Sequence, residues 1–163
     1  MKDILVVYYS RTGKTRLLAE ELARLLDADL EEIRERKDRS GVLGYLGGGR
    51  DAMLQRPAEL VSEHSAGPRK AILVGMPVWG WGPPPAVRAY LAACPPKATH
   101  LCGFCTFDGS GGKRAMRVLG EIAGRDLAAT FDWKKPSAGD PGLLAALKDW
   151  AEKIKALGTP AEK

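Results

Sequence analysis

The sequence has little of what metal and disulfide chemistry require. Its 163 residues include three cysteines and two histidines. Cys94, Cys102 and Cys105 are too few, and odd in number, for a disulfide framework, which is typical of a reducing compartment. His64 and His100 lie beside no acidic or thiol cluster, so we expect no zinc or other metal site.

Long apolar runs and an export signal are also absent from the pattern. No uninterrupted apolar stretch reaches about 18 residues, and the N-terminus lacks the basic, apolar and small-residue order of a signal peptide. We therefore expect a cytoplasmic protein with no membrane partner. The length and the 45% hydrophobic content are typical of one domain, 1–163, with a full core.

Charge of one sign is not concentrated anywhere along the chain. The formal net charge is +5, from 25 Lys and Arg against 20 Asp and Glu, and the densest charged run, 31–39, mixes both signs. Nucleic-acid binding needs a clustered basic patch, often with stacking aromatic residues. We therefore expect no nucleic-acid partner.

The Cys102-Gly103-Phe104-Cys105 motif invites comparison with thioredoxin-like dithiols. It lies inside the apolar segment 101–106, which predicts a strand, and residues three apart on a strand point to opposite faces. Reactive dithiols of this spacing normally sit at a helix start, where the thiol pKa is lowered. We interpret both cysteines as core residues.

What the sequence does contain is concentrated in its first 26 residues. The apolar run Ile4–Tyr9 has no alternation, which predicts a strand covered on both faces, and the leucine spacing of 18–25 predicts a helix. The polar residues 10–15 then form the turn at the helix N-terminus, where unpaired N–H groups and the helix dipole favour a phosphate. The alternative is that Ser10 and the threonines only cap the helix.

A nucleotide triphosphatase is excluded by spacing. Gly13-Lys14-Thr15 matches the end of a Walker A loop, but the glycine required five residues before Gly13 is Tyr8. The predicted strand 71–76 also lacks an aspartate to hold magnesium. The turn suits a terminal phosphomonoester better.

Strand and helix patterns alternate along the rest of the chain. Apolar runs predict further strands, and stripes of apolar residues predict helices around Val87–Cys94, over 111–122 and over 143–157. The predicted strands after the first are 28–33, 71–76, 101–106 and 127–131. This alternation predicts an α/β fold, a doubly wound parallel sheet with helices on both faces.

Three turns leave the predicted strands at the edge where such sheets bind ligands. They are 10–15, 77–82 and 106–112, and their glycines and aromatic residues allow close approach to a flat ring. Together they predict a site for an aromatic cofactor that carries a terminal phosphate.

These three turns resemble the loops of the flavodoxin-like family, of the short-chain type. Ser10-x-Thr12-Gly13-x-Thr15 is similar to its phosphate loop, Pro77-Val78-Trp79 to its second loop, and Phe104-x-Thr106-x-x-Gly109-Ser110-Gly111 to its third. The resemblance implies a five-stranded sheet of order 2-1-3-4-5 in a three-layer α/β/α domain, with FMN bound non-covalently. Lys14 stands where the family often has a neutral residue, and the sequence pI near 9.2 differs from that of acidic flavodoxins.

The resemblance implies the following cofactor-binding residues: Ser10, Arg11, Thr12, Gly13, Lys14, Thr15, Pro77, Val78, Trp79, Gly80, Trp81, Thr106, Phe107, Asp108, Gly109 and Gly112. Trp79 follows the family position best, but either tryptophan is a candidate to cover the flavin, with Phe107 opposite. Asp108 is a candidate acceptor for the flavin N3–H, or alternatively a cap of the helix 111–122.

Residues 34–70 form a connection too long for an idle loop. Its glycine-rich part 41–49 and helical part 50–54 are candidates to cover the flavin rim or to bury apolar surface in a homodimer. We leave monomer and homodimer open.

The leading hypothesis is an FMN-binding electron-transfer protein that meets a redox partner protein and needs no catalytic side chain. The alternative is an FMN-dependent NAD(P)H oxidoreductase that acts on quinones or flavins. A flavin-free phosphate-binding domain is a third hypothesis.

Overall fold

The computed structural model describes residues 1–35 and 68–157. That part of the chain contains five strands and four helices. The strands are β1 (Ile4–Tyr8), β2 (Asp29–Glu32), β3 (Arg69–Pro77), β4 (Ala98–Phe107) and β5 (Ala129–Lys134), and the helices are α1 (Lys14–Leu25), α2 (Pro85–Ala93), α3 (Gly112–Ala123) and α4 (Pro141–Ala156). The connection 36–67, with its predicted helical part, and residues 158–163 lie outside the described residues.

All five strands form one parallel sheet of order β2-β1-β3-β4-β5. The strand order reverses at β1, since β2 lies on one side of it and β3, β4 and β5 follow on the other. The carboxyl ends of β1 and β3 lie side by side, where Tyr8 pairs with Gly75. This order confirms the predicted fold class. A crevice at such a reversal is where open α/β sheets bind their ligands.

The sheet separates two apolar cores. On one face Leu5 and Val7 pack with α2 and α3, and on the other Ile4 and Val6 pack with α1 and α4. Every residue of β1 is buried, which is why its sequence shows no alternation.

The strand β5 differs from its predicted bounds, 127–131. It begins at Ala129 and continues to Lys134, with half-buried and exposed residues in alternation. Leu127 instead packs beside Gly103 of β4. The apolar run 127–131 gave the wrong bounds because an edge strand is covered on one face only. In β5 that face is formed by alternate residues, among them Phe131 and Trp133, which pack on the core.

The cysteine prediction is confirmed. Cys105 lies in the core with α2 and α3, Cys102 lies in the core on the opposite face, and neither forms a disulfide. Burial raises the pKa of Cys102 to about 11 and that of Cys105 to about 12. Neither is therefore a reactive thiolate near neutral pH.

Two absences hold for residues 1–35 and 68–157. No helix there is long and apolar enough to cross a membrane. No group of three or more His, Cys, Asp or Glu side chains there is placed to hold a metal ion.

Candidate functional site

The loops after β1, β3 and β4 meet at one cavity of about 430 Å³. This volume lies in the usual range for small-molecule sites, about 300 to 1,000 Å³. The cavity is lined by Ser10, Arg11, Thr12, Lys14, Thr15, Pro77, Val78, Trp79, Gly80, Trp81, Thr106, Phe107, Asp108, Gly109 and Ser110. The structure thus brings together the predicted site residues except Gly13 and Gly112, and it adds Ser110, which lay inside the third motif.

The first loop is shaped by its own serine. Gly13 is the N-cap of α1 with φ of 86°, a left-handed conformation that favours glycine. The Ser10 Oγ accepts from the backbone N–H of Gly13 at 3.1 Å and from that of Arg16 at 3.3 Å. Ser10 therefore holds the loop in its curve around the start of α1.

Other amides of this loop point to an anion. Among the described residues, the backbone N–H groups of Thr12, Lys14 and Thr15 have no protein acceptor. They stand at the N-terminus of α1, where the helix dipole adds partial positive charge. Unpaired amides in that position form an anion site.

A buried hydroxyl pair joins this loop to the third one. The Thr15 Oγ1 and the Thr106 Oγ1 lie 2.9 Å apart, and the two residues are only 1% and 2% exposed. A hydroxyl can donate and accept at once, so each retains capacity for a further partner. The pair fixes the start of α1 against the end of β4.

The second loop turns sharply between Trp79 and Gly82. Each of these residues accepts at its carbonyl from the other's N–H, at 3.0 Å in both directions. Gly80 and Trp81 between them have φ of 54° and 58°, the pattern of a type I′ turn. Positive φ is uncommon for a bulky residue and costs about 1 to 2 kcal/mol, so Trp81 is held in a strained position.

The two tryptophans have different environments. Trp79 is 4% exposed and packs edge to face on Tyr9, with ring centroids 5.6 Å apart. Trp81 is 50% exposed and lies against the third loop, since a Cβ on Gly111 would be 2.7 Å from its Cδ1. Trp81 is therefore the tryptophan whose ring is available at the cavity.

Phe107 is anchored at the other side of the third loop. Its ring packs on Gly112, where a Cβ would lie 2.8 Å from the Phe107 Cε1. Gly112 thus contributes by leaving room for this ring at the start of α3.

The capping role considered for Asp108 is wrong. The N-cap of α3 is Gly111, with φ of 103° and no side-chain cap. Asp108 instead accepts from the Lys14 Nζ at 2.6 Å. The neighbouring Arg16 is turned away from the cavity and donates to the Tyr8 hydroxyl and to Glu32.

A larger cavity, about 780 Å³, lies between α3 and β5. Two of its basic residues are already engaged: Arg117 pairs with Glu121, and Arg125 donates to the carbonyls of Ala98 and Thr99. It also lies outside the loops that follow β1 and β3. We therefore place the functional site at the smaller cavity.

The sheet order and the position of the cavity define a flavodoxin-like fold. Solved structures similar to this chain support that class. One, described as a candidate flavoprotein from Bacteroides uniformis, has a TM-score of 0.74 and 20% identity over 93% of this chain and 98% of its own. A flavoprotein in complex with FMN from Lactobacillus acidophilus has a TM-score of 0.65 and 20% identity over 81% and 93%. Oxidised flavodoxin 2 from Bacillus cereus has a TM-score of 0.60 and 16% identity over 96% and 99%.

No protein-family model and no curated protein sequence matches this chain. The likeness to the solved structures therefore rests on the fold.

Proposed function

We propose that the chain is an FMN-binding electron-transfer protein. The observation that carries the proposal is the meeting of three loops, from β1, β3 and β4, at one cavity at the sheet reversal. One of the similar solved structures is a complex with FMN, on the same fold.

The cavity fits the two ends of FMN. The amides of Thr12, Lys14 and Thr15 suit its terminal phosphate, and the cations Arg11 and Lys14 line the same cavity. Trp81 and Phe107 provide aromatic faces for the ring, and Gly80 and Gly109 let backbone come close to it. FMN, when bound, would supply one- or two-electron transfer, and the protein would set affinity and access.

The wider assignment is also a proposal. We infer a single domain over 1–163, an oxidoreductase role that involves a redox partner protein, and a cytoplasmic location. Cys102 and Cys105 support the location, because neither forms a disulfide and disulfides are rare in reducing compartments. The same site would serve an FMN-dependent NAD(P)H oxidoreductase, which differs in its electron donor.

The deciding experiment is a visible spectrum of purified protein before and after addition of FMN, followed by anaerobic mixing with NADH or NADPH. We expect the spectrum of protein-bound flavin, and we expect NADH and NADPH to leave that spectrum unchanged. Fast bleaching would move the assignment to the oxidoreductase. Failure to retain FMN after gel filtration would overturn the proposed cofactor.

A further inference from the structure

The Lys14 and Asp108 ion pair is the one charged contact that links the first loop to the third across the described part of the cavity. Lys14 is the first residue of α1, and Asp108 lies 94 positions later, after β4. Both side chains line the cavity, with the Nζ and Oδ1 atoms 2.6 Å apart.

Lys14 occupies a costly position for a cation. The N-terminus of a helix carries partial positive charge, so a lysine there is disfavoured, and α1 has no acidic residue in its first turn to offset it. In this structure the offset comes from another loop, through Asp108. The same position becomes favourable for Lys14 once an anion occupies the amides of the first loop.

The pair itself is weak enough to exchange. Lys14 and Asp108 are 42% and 66% exposed, and ion pairs exposed to this degree contribute little because solvent screens them. A terminal phosphate carries up to two negative charges at neutral pH, whereas Asp108 carries one. The phosphate therefore competes well for the lysine.

We propose that Lys14 is a specificity residue for dianionic phosphate and that Asp108 forms an ion pair with it as long as no anion is bound. Asp108 thus opposes phosphate binding through Lys14. This inference rests on the proposed function for its physiological ligand, but inorganic phosphate can test it without any flavin.

The experiment is a double-mutant cycle on the flavin-free protein. The affinities for inorganic phosphate, FMN and riboflavin are measured at low ionic strength for wild type, Lys14→Gln, Asp108→Asn and the double variant. Lys14→Arg tests rescue by charge. Lys113→Gln and Asp126→Asn change the net charge by the same amounts at exposed positions outside this cavity.

We expect Lys14→Gln to weaken phosphate and FMN about 5- to 10-fold and Asp108→Asn to tighten both about 2- to 5-fold. In the Lys14→Gln background Asp108→Asn should have almost no effect. Riboflavin affinity should stay constant throughout, and the two controls should match wild type.

Three outcomes would overturn the proposal. Weaker FMN binding in Asp108→Asn would mean that the ion pair holds the two loops in the conformation that binds FMN. Equal changes for FMN and riboflavin would place Asp108 at the flavin ring. Tightening that persists in the Lys14→Gln background would mean direct repulsion between Asp108 and the phosphate. A wild type that binds phosphate but not FMN would refute the proposed cofactor, and the phosphate affinities of the four proteins would then decide this inference on their own.

Discussion

Trp81 gives the sharpest test of the second loop, because stability and ligand binding should respond to it differently. Its φ of 58° places a bulky residue in the left-handed region, where a non-glycine residue costs about 1 to 2 kcal/mol. Glycine escapes that cost but loses about 0.5 to 1 kcal/mol of chain entropy relative to alanine. At the middle of these two ranges Trp81→Gly should therefore be more stable than Trp81→Ala by about 0.75 kcal/mol.

Both variants lack the indole ring, so the loss of its contacts cancels when their free energies of unfolding are compared. Urea unfolding measures this difference in the free energy of unfolding. For a domain of this size each kcal/mol corresponds to about 2 to 4 °C in Tm. Ser137, an exposed residue with no positive φ, is the matched control, and there the glycine variant should be the less stable one. An alanine variant at position 81 as stable as the glycine variant would refute the strained turn.

Trp81→Ala and Trp81→Gly should lose flavin affinity to the same extent. Each removes the exposed aromatic ring from the cavity, and an aromatic contact contributes about 0.5 to 1.5 kcal/mol. FMN and riboflavin should both bind about 3- to 10-fold more weakly to Trp81→Ala and Trp81→Gly, measured by flavin fluorescence quenching. Unchanged affinity would remove Trp81 from the flavin wall.

The remaining predictions concern the core and the buried polar groups. Gly75→Ala should destabilise the protein by about 3 kcal/mol or more, because its Cβ would lie 2.0 Å from the Phe104 Cζ, and Phe104→Leu should recover part of that loss in urea unfolding. Thr15→Val should cost about 1 to 3 kcal/mol by leaving the Thr106 hydroxyl unpaired, and Thr106→Val in the same chain should restore most of it; an additive loss would contradict the pairing. At pH 8 the thiols of Cys102 and Cys105 should react with a thiol reagent only after unfolding, because both are buried and burial raises their pKa to about 11 and about 12; rapid labelling of either in the native protein would refute their burial.

The sequence predicted the fold because its signals are local and agree with one another. The unbroken apolar run of β1 and the leucine stripe of α1 each depend on neighbours along the chain, and both are confirmed. The three loops could be placed at one edge because parallel strands share a carboxyl end.

What the sequence could not predict depends on backbone angles and distant contacts. Trp79 and Trp81 differ by two positions in one loop, and only the turn between them buries the first and exposes the second. The pairing of Lys14 with Asp108 spans 94 positions, and the helix cap that was one of the two alternatives for Asp108 is absent because Gly111 starts α3 in a left-handed conformation.

The central claim, that the start of α1 binds the phosphate of FMN, is tested most directly by amide chemical shifts. Uniformly ¹⁵N-labelled protein is titrated with FMN and, separately, with riboflavin. We predict large shifts at the amides of Thr12, Lys14 and Thr15 with FMN and small ones with riboflavin, while both ligands shift the Trp81 indole. Equal shifts of the loop amides with both ligands, or none with FMN, would contradict the account.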